Sequence, residues 1–373
     1  MLKKFLIFAI IAVLFCGCSG PRNQRHEPDM MKPDNKPLSA AWVTTIWNID
    51  YPSKTTTNSK QLKDEINQLI SNAVAANLNA LFFQVRPCAD AFYQSNIFPW
   101  SKWLTGTQGL SPGGGFDPLE YIIEQCHKYD IQLHTWINPY RITALTSDIL
   151  IPTHPAILYP ELTIEVEGKL YFNPGEPLAR KLIIDGVSEI VQNYDIDGIH
   201  YDDYFYPEGI VNEDLQTWID HGENFNNIAD WRRNNVDELI RLTYQAVKEI
   251  NPNVAFGVSP SGIWANKTSN TLGSDTHGFQ SYYAIYSDSR GWVKNGYVDY
   301  IAPQIYWRIG QQGSDFLTVI NWWHNVCKDT PVELYIGLAS YKNFEEEEYA
   351  AQIELAETLG NGYIFFSFTD RYR

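Results

Sequence analysis

Eight short apolar stretches alternate with seven helical stretches along this chain, and that alternation limits its possible folds more than any other feature. The strand candidates cover residues 40–47, 80–86, 132–138, 198–205, 255–259, 300–307, 333–339 and 362–368. Each is rich in the β-branched and aromatic residues that suit a pleated, buried surface. The helical stretches fall near 60–77, 118–129, 177–193, 232–250, 280–295, 315–327 and 345–359. Asp117-Pro118 starts the second with a cap and a proline at the first helical position. Asn173 and Gly175 are possible caps for the third, and Glu345 to Glu348 place acids at the positive end of the seventh. Strands and helices in this order predict an α/β fold, a (β/α)8 TIM barrel over residues 39–373, with a doubly wound open sheet as the alternative. No eighth helical stretch follows the last strand, so the barrel is expected to lack its eighth helix unless another element covers that side.

The barrel does not begin at residue 1. Met1-Leu2-Lys3-Lys4 leads into an apolar run that ends at Phe15. A basic start followed by a run too short to cross a membrane reads as an export signal. Phe15-Cys16-Gly17-Cys18-Ser19 resembles the end of a bacterial lipoprotein signal, with Cys18 as the lipidated first residue of the mature chain. Phe15 stands where such signals usually carry Leu, which leaves plain secretion, or lipidation at Cys16, open. Residues 19–38 are rich in Pro, Asn, Lys, Arg and Asp and read as a flexible tether. The expected location is the bacterial cell envelope, with a lipid anchor holding the domain to a membrane, the outer membrane or the cell surface. The other cysteines, Cys88, Cys126 and Cys327, are far apart and form neither a disulfide framework nor a zinc spacing.

Net charge is −16 with a pI near 4.9. That excludes nucleic acid, or an anionic membrane, as a partner held by charge alone. Aromatics make up 14% of the chain, including 12 Trp and 23 Tyr. Flat rings with polar edges suit a sugar, although many will be core. No phosphate loop, dinucleotide fingerprint or HExxH motif occurs, and no cofactor is expected. The run Gly113-Gly114-Gly115 lacks the Lys-Ser/Thr of a phosphate cradle and reads as a lid.

In a barrel the chemistry gathers where the strands end. The first strand ends at Trp47 and leads to Asp50; the second carries Gln84 and Arg86, with Asp90 and Tyr93 in its loop. The third carries His134, Trp136, Asn138 and, just beyond, Arg141. The fourth, within the stretch Asp197 to Pro207, carries His200, Asp202, Asp203 and Tyr204. Ser259 ends the fifth, Gln304, Tyr306 and Trp307 the sixth, Tyr341 follows the seventh and Asp370 the eighth. Eight ends bearing such groups suit a polyhydroxylated ligand, whose hydroxyls amides and charges can bind and whose apolar faces rings can cover. The residues expected to bind substrate are Trp47, Asp50, Arg86, Asp90, His134, Asn138, Arg141, His200, Tyr204, Gln304, Tyr306 and Trp307.

Cleaving a glycosidic bond needs a proton donor and a carboxylate that attacks or stabilises the cation-like transition state. Asp202 and Asp203 are the expected catalytic pair. Strand alternation puts Asp202 on one face with His200 and Tyr204, and Asp203 on the other. Asp202 is expected to be the nucleophile or stabiliser. The donor is Asp203, Glu208 or Asp370. No carboxylate ends the seventh strand. Adjacent acids suit a reaction in which the substrate's own acetamido group is the nucleophile, one acid orienting it and the other donating the proton. His134, His200 and Asp202 could instead ligate a metal, but hydroxyl binding and carboxylate orientation account for them better, and no metal is expected.

Seven motifs carry a family resemblance. They are Trp42 to Pro52, Gln84 to Pro87, Trp103 to Gly109, Asn138 to Arg141, Asp197 to Pro207, Asp230 to Arg233 and Ala302 to Trp307. Together they resemble the glycosyl-hydrolase-like family 10 proteins, formerly a domain of unknown function, over about residues 39–369. The resemblance implies a barrel and a glycoside hydrolase. Exported lipoproteins of that family include an outer-membrane enzyme that cleaves peptidoglycan glycan strands stripped of their peptides. The expected function is hydrolysis of a cell-wall-type polysaccharide, with those strands favoured. A non-catalytic glycan-binding barrel and a hydrolase of dietary or host polysaccharides are the alternatives.

Overall fold

The computed structural model describes residues 36–372, and the compact unit begins at Pro37. The leader, Cys18 and nearly all of the expected tether lie outside the described residues. Eight parallel strands form a nearly closed ring: β1 (Leu38–Val43), β2 (Ala80–Arg86), β3 (Gln132–Ile137), β4 (Gly198–Tyr201), β5 (Ala255–Val258), β6 (Tyr300–Ile301), β7 and β8 (Gly362–Phe366). β7 is two pieces, Glu333–Leu334 and Ile336–Ala339, interrupted at Tyr335. Its first piece pairs with β6 and its second with β8, and β8 pairs with β1. The chain is therefore a (β/α)8 barrel.

Helices α1 (Ser59–Ala75), α2 (Pro118–His127), α3 (Pro177–Asn193), α4 (Ile228–Ile250), α5 (Ser289–Asn295), α6 (Phe316–Cys327) and α7 (Glu346–Leu359) connect the strands. Asn58, Asp117 and Asp315 cap α1, α2 and α6, each accepting two backbone N–H groups. Glu176, rather than Asn173 or Gly175, caps α3 by accepting from the Leu178 N–H at 3.3 Å. The fifth helical stretch breaks into Ser281–Ala284 and α5. A short helix α8, Phe368–Tyr372, follows β8 and buries Phe368, so one turn of helix stands where no helix was expected.

Strand alternation sorts the core into two layers. Ala41, Val43, Leu81, Phe83, Ile199 and Tyr201 face the helices. Ala40, Trp42, Phe82, Trp136, Tyr300 and Ile364 fill the barrel interior. Two glycines make that filling possible. A Cβ on Gly198 would lie 2.2 Å from the His134 ring, and one on Gly257 would lie 2.2 Å from the Tyr300 ring. Strands end earlier than their composition predicts. β4 stops at Tyr201 and β6 at Ile301, and the polar residues after them run irregularly across the barrel mouth.

Candidate active site

A cavity of about 400 Å³ opens at the C-terminal ends of the strands. Asp202 and Asp203 both line it, and among the described residues no other Asp or Glu does. Because β4 ends at Tyr201, Asp203 escapes the alternation that would have turned it toward the helices. Both acids instead sit on the turn that leaves the strand.

Asp202 is buried and receives three donors. Its Oδ2 accepts from Asn138 Nδ2 at 2.6 Å and from Trp136 Nε1 at 3.1 Å, and its Oδ1 accepts from the Asp203 N–H at 2.7 Å. Asp203 is half-buried. Burial holds its carboxyl well above the usual range; the charge of Asp202 and a hydrogen bond with that side chain push the same way, against a weaker opposing bond from Gln304. One acid thus accepts from three N–H donors while its neighbour retains a proton, an arrangement that suits the neighbour to the role of acid.

Aromatic and amide groups build the walls. Trp47 stands at the rim, 48% exposed, at φ 60°, with its ring 4.7 Å from that of Trp103. Arg141 lies 5.1 Å above the Tyr204 ring and donates through Nε to Pro87 O at 2.8 Å. The charge of Asp202 raises the pKa of the Tyr204 phenol, which keeps its proton. Tyr306 stacks on Phe366 at 6.3 Å, and Gln304 donates to Ser259 O at 3.0 Å. Of the residues expected to bind substrate, Trp47, Arg141, Tyr204, Gln304 and Tyr306 line the cavity.

The other seven do not, each for a physical reason. Arg86 is fully buried, because the β2–β3 register shifts between Gln84 and Arg86, pairing Arg86 with Ile137 and turning it outward. Its guanidinium lies 3.7 Å over the Phe98 ring, and a Cβ on Gly186 of α3 would sit 2.7 Å from Nη1. Asp90 is buried and accepts from the Cys88 N–H at 3.2 Å, with burial pushing its pKa up to about 6. Asp50 accepts from Thr44 N and Thr369 N, both at 2.7 Å, and so ties the loop after β1 to α8. The Trp307 ring packs on Gly262, and its carbonyl accepts from Gln352 of α7.

Asn138, His200 and His134 face the interior but lie beneath the cavity. His200 Nε2 accepts from Trp42 Nε1, a donor only, at 3.1 Å. The proton of a neutral His200 therefore sits on Nδ1, which meets Tyr300 Oη at 3.1 Å. Tyr300 Oη in turn meets His134 Nδ1 at 3.0 Å. Burial lowers the pKa of both rings, that of His134 to about 4, so both are neutral. Both Nδ1 atoms meet Tyr300 Oη and His200 Nε2 meets Trp42, and no group of three potential metal ligands occurs among the described residues. Of the alternative donors, Glu208 and Asp370 are exposed and do not line the cavity.

Ile49, Gln84, Trp136, Ser259 and Tyr341 stand at predicted strand ends without an assigned role, and Trp42, Thr44, Ile46 and Phe366 have no predicted place in the site; all nine line the cavity. Trp42 was detectable, since it shares an inward parity with Ala40. The loop residues Thr44 and Ile46 carried no such signal.

Comparison with known proteins agrees with this architecture. The family model described as glycosyl hydrolase-like 10 matches residues 37–352. The chain is 42% identical over 353 residues to Glycosyl hydrolase YngK of Bacillus subtilis, covering 90% of this chain and 69% of that protein. It is 34% identical over 368 residues to Glycosyl hydrolase DigH of Escherichia coli K12, covering 91% of this chain and 83% of that protein. Among solved structures, the PgaB (BpsB) glycoside hydrolase domain from Bordetella bronchiseptica matches with a TM-score of 0.60 at 12% identity, over 90% of this chain and 95% of that one. The catalytic domain of a β-amylase from Paenibacillus polymyxa matches with a TM-score of 0.58 at 10% identity, over 89% and 92%. At such identities these two structures speak to the fold alone.

Proposed function

The chain belongs to the glycosyl hydrolase-like 10 family, and from that premise we propose that it hydrolyses glycosidic bonds in an N-acetylated cell-wall glycan, with peptide-free peptidoglycan strands the favoured substrate. The observation that carries this reading is the adjacent pair Asp202 and Asp203, the only acids lining the aromatic-walled cavity among the described residues. Two-carboxylate glycosidases set their acids about 5–5.5 Å apart to retain, or roughly 6.5–9.5 Å apart to invert, across the scissile bond. Neighbouring residues whose side chains hydrogen-bond to each other do not supply that spacing. They do suit an acetamido group acting as the internal nucleophile.

Asp203 gives its proton to the leaving glycosidic oxygen. The acetamido carbonyl oxygen forms a bond to the anomeric carbon as the carbon–oxygen bond breaks. Asp202 accepts the acetamide N–H and offsets the positive charge that develops on it. The Asp203 carboxyl shares its proton with Asp202, and giving that proton to the leaving oxygen vacates an acceptor site on Asp202 for the acetamide N–H. Water then adds to the anomeric carbon as the bond to the acetamido oxygen breaks, its proton returns to Asp203, and the product retains its configuration. The Trp47 ring and the Tyr306–Phe366 stack supply faces for sugar rings.

The basic-apolar leader and Cys18 support a lipid-anchored location in the cell envelope, where such glycans are found. Incubation of the protein with peptide-free glycan strands, read by product mass beside an Asp202→Asn control, tests the reading. Release of N-acetylated oligosaccharides by the wild type alone supports it. Binding without release by the wild type identifies a glycan-binding barrel instead.

A further inference from the structure

A chain of amides runs from the cavity wall at Gln84 to Asp202, and its polarity is set by the backbone. Gln84 is fully buried on β2. Its side-chain oxygen Oε1 lies 2.9 Å from Thr45 N and 3.0 Å from Ile46 N. Backbone N–H groups only donate, so the atom facing them must be the oxygen. The Gln84 amide is thereby locked, and its Nε2 must point to Asn138 Oδ1, at 2.7 Å. That contact locks the second amide in turn. Asn138 Oδ1 is occupied as an acceptor, so Nδ2 is the group presented to Asp202 Oδ2 at 2.6 Å. Every bond in the series runs in one direction, from the loop after β1 to the catalytic carboxylate.

We infer that Gln84 is a positioning residue for the reaction: through Asn138 it fixes the Asp202 carboxylate and couples it to the loop that carries Trp47. The inference rests on the reading of Asp202 given above. The loop end of the series supplies the coupling. Thr45 and Ile46 immediately precede Trp47, whose φ of 60° is a conformation a tryptophan holds only when its surroundings impose it. The two N–H groups bound by Gln84 Oε1 are among the bonds that impose it. Without the Gln84 donor, Asn138 is free to turn its oxygen toward Asp202, exchanging a donor for a repulsive contact. In water-excluded sites, misplacing a reacting group by about 1 Å costs on the order of 100-fold in rate.

Two variants of the full-length protein test this. Gln84→Glu keeps the shape and removes the donor; Gln84→Met keeps the volume, adds no charge, and decides the matter if Gln84→Glu does not fold. Turnover of peptide-free glycan strands is expected to fall about tenfold or more in kcat, with KM changing less than about threefold. In a cycle with Asn138→Ala, the double variant is expected to be no more than about twofold slower than the slower single variant, because both act through one chain. A second readout needs no substrate. The Trp136 indole N–H, which donates to Asp202, gives an NMR resonance assignable with Trp136→Phe. Its pH titration is expected to move in Gln84→Met. Unchanged kcat in a folded Gln84→Met protein, or multiplicative losses in the cycle, overturns the inference. If the wild type cleaves no glycan, the proposed function fails by itself. The indole titration then still decides Gln84, an unmoved resonance overturning its role.

Discussion

The backbone N–H of Asp203 donates to Oδ1 of Asp202 at 2.7 Å, so the proposed proton donor helps to orient its neighbour. With Trp136 and Asn138 on Oδ2, every protein group that reaches the Asp202 carboxylate is a donor. An Asn at this position must direct its NH2 at one of them. Asp202→Asn is therefore expected to lower stability by about 1–3 kcal/mol, the cost of an unsatisfied buried donor. It should also lower turnover by roughly 100- to 1,000-fold, the loss typical of one preorganised charge-stabilising group. Denaturant unfolding and initial-rate measurements on the purified variant check both effects.

Asp203→Asn should act on stability in the opposite direction. The folded pKa of Asp203 is raised above the unfolded value of about 3.9. Above pH ~3.9 the unfolded chain ionises this group while the folded chain retains its proton, so folding loses stability as pH rises until the folded pKa is passed. Asn carries no such penalty. The melting-temperature difference, variant minus wild type, should be positive and grow from pH 4 upward before levelling. Turnover should fall about 100- to 10,000-fold on natural glycan. It should recover substantially on an aryl glycoside whose leaving group needs no proton. In the wild type, turnover should decline as pH rises through the folded pKa of Asp203.

Trp47 combines an exposed ring with a left-handed backbone, which for a bulky residue costs about 1–3 kcal/mol. Trp47→Ala and Trp47→Gly should weaken glycan binding alike, by roughly tenfold, because both remove the ring. Trp47→Gly should nevertheless be about 1 kcal/mol more stable than Trp47→Ala, since glycine adopts that φ freely. Calorimetric titration paired with thermal unfolding separates the two quantities. Equal stability of the two variants would contradict the strain argument.

The tier beneath the cavity should respond in stability before it responds in rate. Tyr300 Oη serves both His134 and His200. Tyr300→Phe leaves the His200 Nδ1 proton without an acceptor and should cost about 1–3 kcal/mol. Gly257→Ala places a methyl 2.2 Å from the Tyr300 ring and should cost at least as much through overpacking. Chemical denaturation of both variants gives the comparison.

The barrel was legible because its signals are local. The run from Ala80 to Arg86 is buried throughout, and Asp117-Pro118 caps a helix by its own chemistry. The acidic pair was legible because two carboxylates at a strand exit need a use. Side-chain direction was less so. Parity along β2 points Arg86 into the barrel, but the register shift after Gln84 turns it outward, and a pairing irregularity leaves no mark in one strand's composition. Alternation puts Asp203 on the opposite face from where it sits, for the related reason that β4 ends two residues before it. Asp50 and Asp90 resemble substrate-binding acids in sequence, because exposed loop acids and buried loop-tying acids look alike until their N–H partners are known. The amide series from Gln84 to Asp202 joins residues 54 and 64 positions apart, contacts made by the lateral pairing of β2, β3 and β4.

The anomeric configuration of the first product, followed by NMR during turnover of an N-acetylated glycan, tests the central claim most directly. Retention, with no covalent glycosyl-enzyme detected by intact-mass measurement and with activity abolished on the de-N-acetylated form of the same glycan, is the predicted result. An inverted product, or equal turnover of the two glycans, would contradict the assignment of Asp202 and Asp203 to an acetamido-assisted cleavage.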